Sequence, residues 1–325
     1  MAWSSSPVRA QVVELATTGD RTPPGYQYPA DGLVEQAKKP IRRVVYPVYN
    51  GIVSRLLERK YGPLAGFPVD QWLWGQRGND LERHRRRVNH VLPIAEREIL
   101  IVGCGLGRDV VSWLPYHPAS VTGVDYFDYS SGWNAFRRTA ASRHPSVRLD
   151  FRQADLLDLG QFAPMSFDIV ASDAVFEHVS DLPRALRELD RVLRPGGVVY
   201  ATFGPLWYSW HGDHVSGYDG PASGYNHLLL PAEEYRRYIE QDTEHDGPFW
   251  LEHGLFSYLR PREYLESLAN AGFAREFVLV VLSPDGAHAL AADPELRRRA
   301  TAVASELDLI ASAMSVIYRK PAVSR

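Results

Sequence analysis

The chain has 325 residues, 45% of them hydrophobic and 23% charged, with a formal net charge of −3. That is ample for a large core, as one large domain or two modest ones. The near-neutral balance gives no long-range attraction to nucleic acid or to an anionic membrane. No apolar run reaches the ~18 residues of a membrane span, and the opening Met1-Ala2-Trp3-Ser4-Ser5-Ser6-Pro7 has no signal-peptide core. The single cysteine, Cys104, cannot form an intrachain disulfide. These features lead us to expect a cytoplasmic protein.

Residues 1–97 read as an N-terminal arm with a helical cap. The first forty are rich in Pro, Gly and polar residues, and helix-like segments follow at 41–50, 51–61 and 79–91. The last of these contains Arg83-His84-Arg85-Arg86-Arg87. A basic cluster can bind phosphate, but one helical turn of Arg reads first as a solvated face. Trp72 and Trp74 are expected to staple the arm to the core.

Next, Glu98-Ile99-Leu100-Ile101-Val102-Gly103-Cys104-Gly105-Leu106-Gly107-Arg108 is an apolar run that ends in glycines at every second position. A buried strand followed by a Gly-rich turn is how an open α/β sheet brings a nucleotide-like ligand to its backbone. The dinucleotide fingerprint G-x-G-x-x-G would put its third glycine at 108, whereas here it comes at Gly107. A ligand without a pyrophosphate needs no phosphate cradle, only backbone free of Cβ atoms at close approach.

Val121-Thr122-Gly123-Val124-Asp125 is a second strand ending in a carboxylate, placed to accept from ribose hydroxyls. Taken alone, Asp125 suits a helix N-cap equally well. Val147-Arg148-Leu149-Asp150-Phe151 alternates and leads to Gln153-Ala154-Asp155-Leu156, where Asp155 can equally open a turn. The run from Ser166 to Val179 contains an apolar strand and then Asp173, Glu177 and His178. A helix over 182–193 is closed by Arg194-Pro195-Gly196-Gly197, and 198–203 is a further strand.

In this order the features resemble the class I S-adenosylmethionine (SAM) methyltransferases, small-molecule branch. The G-x-G-x-G run resembles their motif I and the Ser166–Val179 run their motif IV, and the resemblance covers roughly 98–203. It implies an α/β fold: a Rossmann-like seven-stranded sheet with an antiparallel last strand, SAM as cofactor and a small-molecule acceptor. It also implies a cofactor site at Gly103, Cys104, Gly105, Gly107, Asp125, Tyr126, Asp155, Leu156 and Asp173. Asp125 would hold ribose and Asp155 the adenine amino group. Cys104 is expected to fill the loop rather than act as a nucleophile. The position two before the first glycine, acidic in many members, is Ile101 here, which leaves the methionine amino group to the Gly103 carbonyl or Asp173. Ser172-Asp173-Ala174-Val175 lacks the Asn/Asp-Pro-Pro-Tyr pattern of many amino-group methylases of nucleic acids.

A long insertion, about 204–257, follows the strand and concentrates aromatics and histidines: Trp207, Tyr208, Trp210, His211, His214, Tyr218, Tyr225 and His227. Long insertions in compact domains are usually lids or binding loops. His178, His211, His214 and His227 are the candidate bases, since histidine titrates near neutrality. The set His211, Asp213, His214 and His227 leaves two further readings open: a metal-assisted O-methyltransferase, and ordinary loop polarity. A nicotinamide-dependent dehydrogenase and a non-catalytic SAM-binding protein remain as other classes. The remaining elements are a helix over 260–273, a strand over 276–282, a helical insertion at about 284–313 and a strand over 315–319. The last strand is expected to slip antiparallel between its two neighbours.

Overall fold

The computed structural model describes residues 45, 48–49, 51–64, 66–75, 81–107, 109–241 and 247–322. Most of the expected helix at 41–50, the opening forty residues and Arg108 lie outside them. Among the described residues eight strands form one sheet in the order β1-β7-β8-β6-β5-β2-β3-β4. They are β1 (Gln71–Trp74), β2 (Glu98–Val102), β3 (Ser120–Asp125), β4 (Arg148–Gln153), β5 (Phe167–Asp173), β6 (Leu193–Phe203), β7 (Ala274–Leu282) and β8 (Ala311–Arg319). β8 lies between β6 and β7 and runs antiparallel to both, while the other pairings are parallel. The sheet is thus the expected Rossmann-like one with one strand added. β1, from the N-terminal arm, pairs with the outer edge of β7, Trp72 beside Val280.

β2 is central, and its side chains alternate between two layers. Leu100 and Val102 join the core on one face, with Leu182, Leu186 and Leu189 of helix α1 (Leu182–Val192) and Tyr264, Leu265 and Leu268 of helix α2 (Pro261–Asn270). Ile99 and Ile101 face the other, with Val110, Trp113, Trp133 and Phe136. Burial on both faces is why the strand reads as an unbroken apolar run. Asp181 caps α1, accepting from the Arg184 N–H at 3.0 Å. After the glycine turn the chain makes only two 3-10 turns, Asp109–Ser112 and Leu114–Tyr116. Pro115 has no N–H with which to continue a helix.

The basic run departs from its expected solvated role. In helix α3 (Leu81–Val91) the buried residues are His84, Arg85 and Val88. Their i, i+1, i+4 spacing places all three on the inward face. Trp72 is fully buried, as a staple should be. The insertion after β6 is no loose lid: Leu206, Ser209, Asp213, Val215 and Tyr225 are buried, and the Tyr225 hydroxyl donates to the Leu309 carbonyl at 2.9 Å. The second insertion forms three short helices, α4 (Pro284–Ala292), α5 (Pro294–Thr301) and α6 (Glu306–Ile310). Among the described residues no helix is long and apolar enough to cross a membrane.

Candidate functional site

The carboxyl ends of β2, β3, β4 and β5 open onto a cavity of about 470 Å³. Gly103, Gly105, Asp125, Tyr126, Asp155, Leu156 and His178 line it. The glycine turn explains part of its shape. Gly103 has φ +69, and a Cβ there would come within 2.1 Å of Val175 Cγ2. Gly105 has φ +49, and a Cβ there would meet nothing within 4 Å, so its bare backbone borders open space. The Gly105 carbonyl is held by the Trp133 indole N–H at 2.7 Å, and Trp133 stacks on Phe151.

Asp125 ends β3 with its two oxygens on the backbone, accepting from Gly105 N–H at 2.7 Å and Phe127 N–H at 3.0 Å. Burial raises its pKa, and these N–H groups oppose the rise. It caps no helix: the next one, Ser130–Arg143, starts after Tyr129. Asp155 both borders the cavity and opens a turn, accepting from Leu157 N–H at 2.8 Å. The cavity of ~300–1,000 Å³ typical of ligand sites, the bare Gly105 backbone and a carboxylate at the end of β3 together fit a nucleoside-like cofactor.

Other expected cofactor residues lie away from this lining. Cys104 is buried, its thiol pKa pushed up by desolvation and the nearby Asp125, and it packs close to Gly123 and Phe151. Gly107 abuts the Phe136 ring. Asp173 is engaged beneath the site: Tyr200 hydroxyl donates to it at 2.7 Å and Arg85 of α3 forms a buried ion pair with it. The Arg85 Nε–H also donates to Ser112 Oγ at 2.9 Å. The carboxylate expected near the methionine amino group is therefore the anchor of the N-terminal cap.

A second cavity, of about 270 Å³, lies beyond the ends of β6 and β7. Thr202, Gly204, Trp210, His211, Ser283, Asp285 and Ser312 are among its walls. Ala174 lines both cavities. Its φ of +57 is a strained conformation for a side-chain-bearing residue. The two cavities thus meet at the residue that follows β5.

The four histidines separate by position. His178 lines the larger cavity, with its Nδ1–H donating to the Leu255 carbonyl at 2.9 Å and its ring stacked on Trp250 at 4.5 Å. His211 lines the smaller, with Nδ1–H donating to the Ser216 carbonyl at 2.6 Å. A carbonyl only accepts, so in each neutral ring the lone pair sits on Nε2. His214 stands between them, its ring centroid 5.0 Å from His178 and 6.3 Å from His211. His227 has a different place: Nε2–H donates to the Trp207 carbonyl at 2.7 Å, the ring is fully buried, and burial lowers its pKa. Beside it, Asp213 accepts from Ser216 N–H at 2.7 Å and Tyr235 hydroxyl at 2.8 Å. These two residues hold the insertion together. Among the described residues no group of three or more His, Cys, Asp or Glu is placed to hold a metal ion.

The sequence did not single out several of the lining residues. Val175 and Trp250 line the larger cavity and Asp285 the smaller; the aromatic richness of the insertion was the only signal for Trp250. Glu177 was noticed without a role. It is buried, with one oxygen accepting from Gly204 N–H at 3.0 Å and Oε2 lacking a hydrogen-bond partner. Burial pushes its pKa up to about 7.

Residues 100–201 match a family model described as "Methyltransferase domain". Residues 100–201 of the chain form a methyltransferase domain. The chain is 29% identical, over 59% of its length, to the sterol 24-C-methyltransferase erg6 of Aspergillus fumigatus. It is 28% identical over 58% of this chain to a malonyl-[acyl-carrier protein] O-methyltransferase of Paenibacillus. The matches span 44% and 71% of those two proteins, so the chain covers less than half the length of the sterol enzyme. A SAM-dependent methyltransferase from Mesorhizobium loti aligns at 20% identity and a TM-score of 0.44, over 74% of this chain and 98% of that one. The methyltransferase domain coincides with β2 to β6, the strands that build the larger cavity.

Proposed function

We propose that the chain is an enzyme that transfers the methyl group of SAM to a small-molecule acceptor. The observation that carries this reading is the pair of cavities meeting at Ala174. The larger takes the donor: Asp125 accepts from ribose hydroxyls, Asp155 from the adenine, and the Gly103–Gly105 backbone lies along the methionine part. SAM, when bound, supplies an electrophilic methyl on a sulfonium. The smaller cavity, lying just below the ~300 Å³ end of the ligand-site range, takes the acceptor. The chain's own task is then to orient the acceptor and exclude water, with a base where the nucleophile needs one. His211, on the wall of the smaller cavity, is that base, and His178 is the wall on the donor side. A cytoplasmic setting fits a chain whose one cysteine is buried in the glycine turn.

Calorimetry with SAM, followed by mass spectrometry of a small-molecule library incubated with labelled SAM, tests this. Micromolar SAM binding and label transfer are expected, and His211→Ala should lower turnover about 10²–10⁴-fold with SAM affinity hardly changed. Nicotinamide-nucleotide binding in place of SAM would overturn the reading.

A further inference from the structure

The smaller cavity has an uneven charge. Among its described walls, Asp285 is the one carboxylate, and none is Lys or Arg. The same holds for cations around the larger cavity, where Asp125 and Asp155 are the carboxylates. An anionic group brought here would be desolvated with no Lys or Arg among the described walls, only the His211 ring that a proton can charge, and would share the wall with the exposed carboxylate of Asp285.

One feature of this wall works the other way by position. Ser283, Pro284 and Asp285 form the N-terminal end of α4, and helix N-termini attract anions. Part of that attraction is met within the chain. Pro284 has no N–H, Gly286 N–H donates to Ser283 Oγ at 3.0 Å, Ala287 N–H donates to the Ser283 carbonyl at 3.1 Å, and Asp285 places a negative charge in the first turn. Beside the polar Thr202, His211 and Ser312, the apolar walls Val281, Leu282, Phe203 and Trp210 suit a compact body with an apolar side. An indole face also favours a cation.

Resting on the methyltransferase reading, we infer that the acceptor is not an anion: it is a small, compact molecule, neutral or bearing a protonated amine that pairs with Asp285. Carboxylates and phosphate esters are the rejected class.

The probes are benzylamine, benzyl alcohol and benzoate, which share a body and differ in charge. Their binding is measured by ligand-detected NMR and by soaking into crystals, with and without S-adenosylhomocysteine, so the ranking is read whether or not that molecule binds. Benzylamine and benzyl alcohol should bind in the smaller cavity roughly tenfold or more tightly than benzoate, the scale of one ion contact near a protein surface. Asp285→Lys should bring benzoate to parity or better. Benzoate binding as tightly as benzylamine to the unaltered protein would overturn the inference, as would no probe entering the cavity. Failure of S-adenosylhomocysteine to bind, read separately by calorimetry, would instead strike the cofactor assignment.

Discussion

Replacing Arg85 by Met removes a charge whose side chain is fully buried and leaves Asp173, 4% exposed, facing Tyr200 alone. Taking away one partner of a buried pair costs about 3–5 kcal/mol, because the other charge stays desolvated and uncompensated. An exposed pair would cost only about 0–1 kcal/mol. The lost Nε–H bond to Ser112 falls within the same few kcal/mol. Arg85→Met combined with Asp173→Asn leaves no bare charge and should recover most of the loss. The assay is urea unfolding of the four proteins of the cycle, with SAM affinity by calorimetry in parallel. Asp173 directly precedes Ala174 and Val175, which line the cavities, so affinity should fall in the single variant and return in the double. A cost below about 1 kcal/mol for Arg85→Met, or a double variant as unstable as the two single losses added together, would refute the idea that this pair seats α3 on the site.

Three further outcomes are expected. Asp125→Ala should weaken SAM binding about 10- to 150-fold, the worth of a charge-assisted hydrogen bond; it should also loosen the turn without ligand, since Gly105 and Phe127 lose their acceptor, and unchanged calorimetry would remove Asp125 from the site. Gly103→Ala should lower both stability and SAM affinity, because its Cβ would collide with Val175 at a positive φ; the paired variant Gly103→Ala, Val175→Ala should recover part of the loss, and circular dichroism with thermal melting checks both. Glu177 has a folded pKa raised by burial from 4.5 to about 7. The folded state therefore holds its proton more tightly than the unfolded chain, and the stability this group contributes is full below about pH 4.5 and lost as pH rises through 7. Glu177→Gln should abolish that fall, on the order of 3 kcal/mol, in urea titrations between pH 5 and 8; parallel curves for the two proteins would show that Glu177 is ionised throughout.

Much of this protein was legible from order along the chain. The apolar run before Gly103, the glycines at alternate positions, and Asp125 and Asp155 at successive strand ends are local patterns. Strand period and turn chemistry write them directly into sequence, and the methyltransferase domain followed from them. What sequence did not decide was which side chains face each other across long separations. Arg85 looked like one more member of a solvated basic turn, because nothing local distinguishes it from Arg86; the inward rotation of α3 and a carboxylate 88 residues away made it a buried partner. His227 looked like a candidate base equal to His211. Tertiary packing set its Nε2 on the Trp207 carbonyl and left His211 on a cavity wall. β1 was unreadable as a strand because four residues carry little periodic signal, and only the open edge of β7 made it one. Local chemistry set the glycine turn and the strand ends that line the larger cavity, while pairings at a distance, whose energy exists only once the chain is folded, seated α3, β1 and the histidines of the insertion.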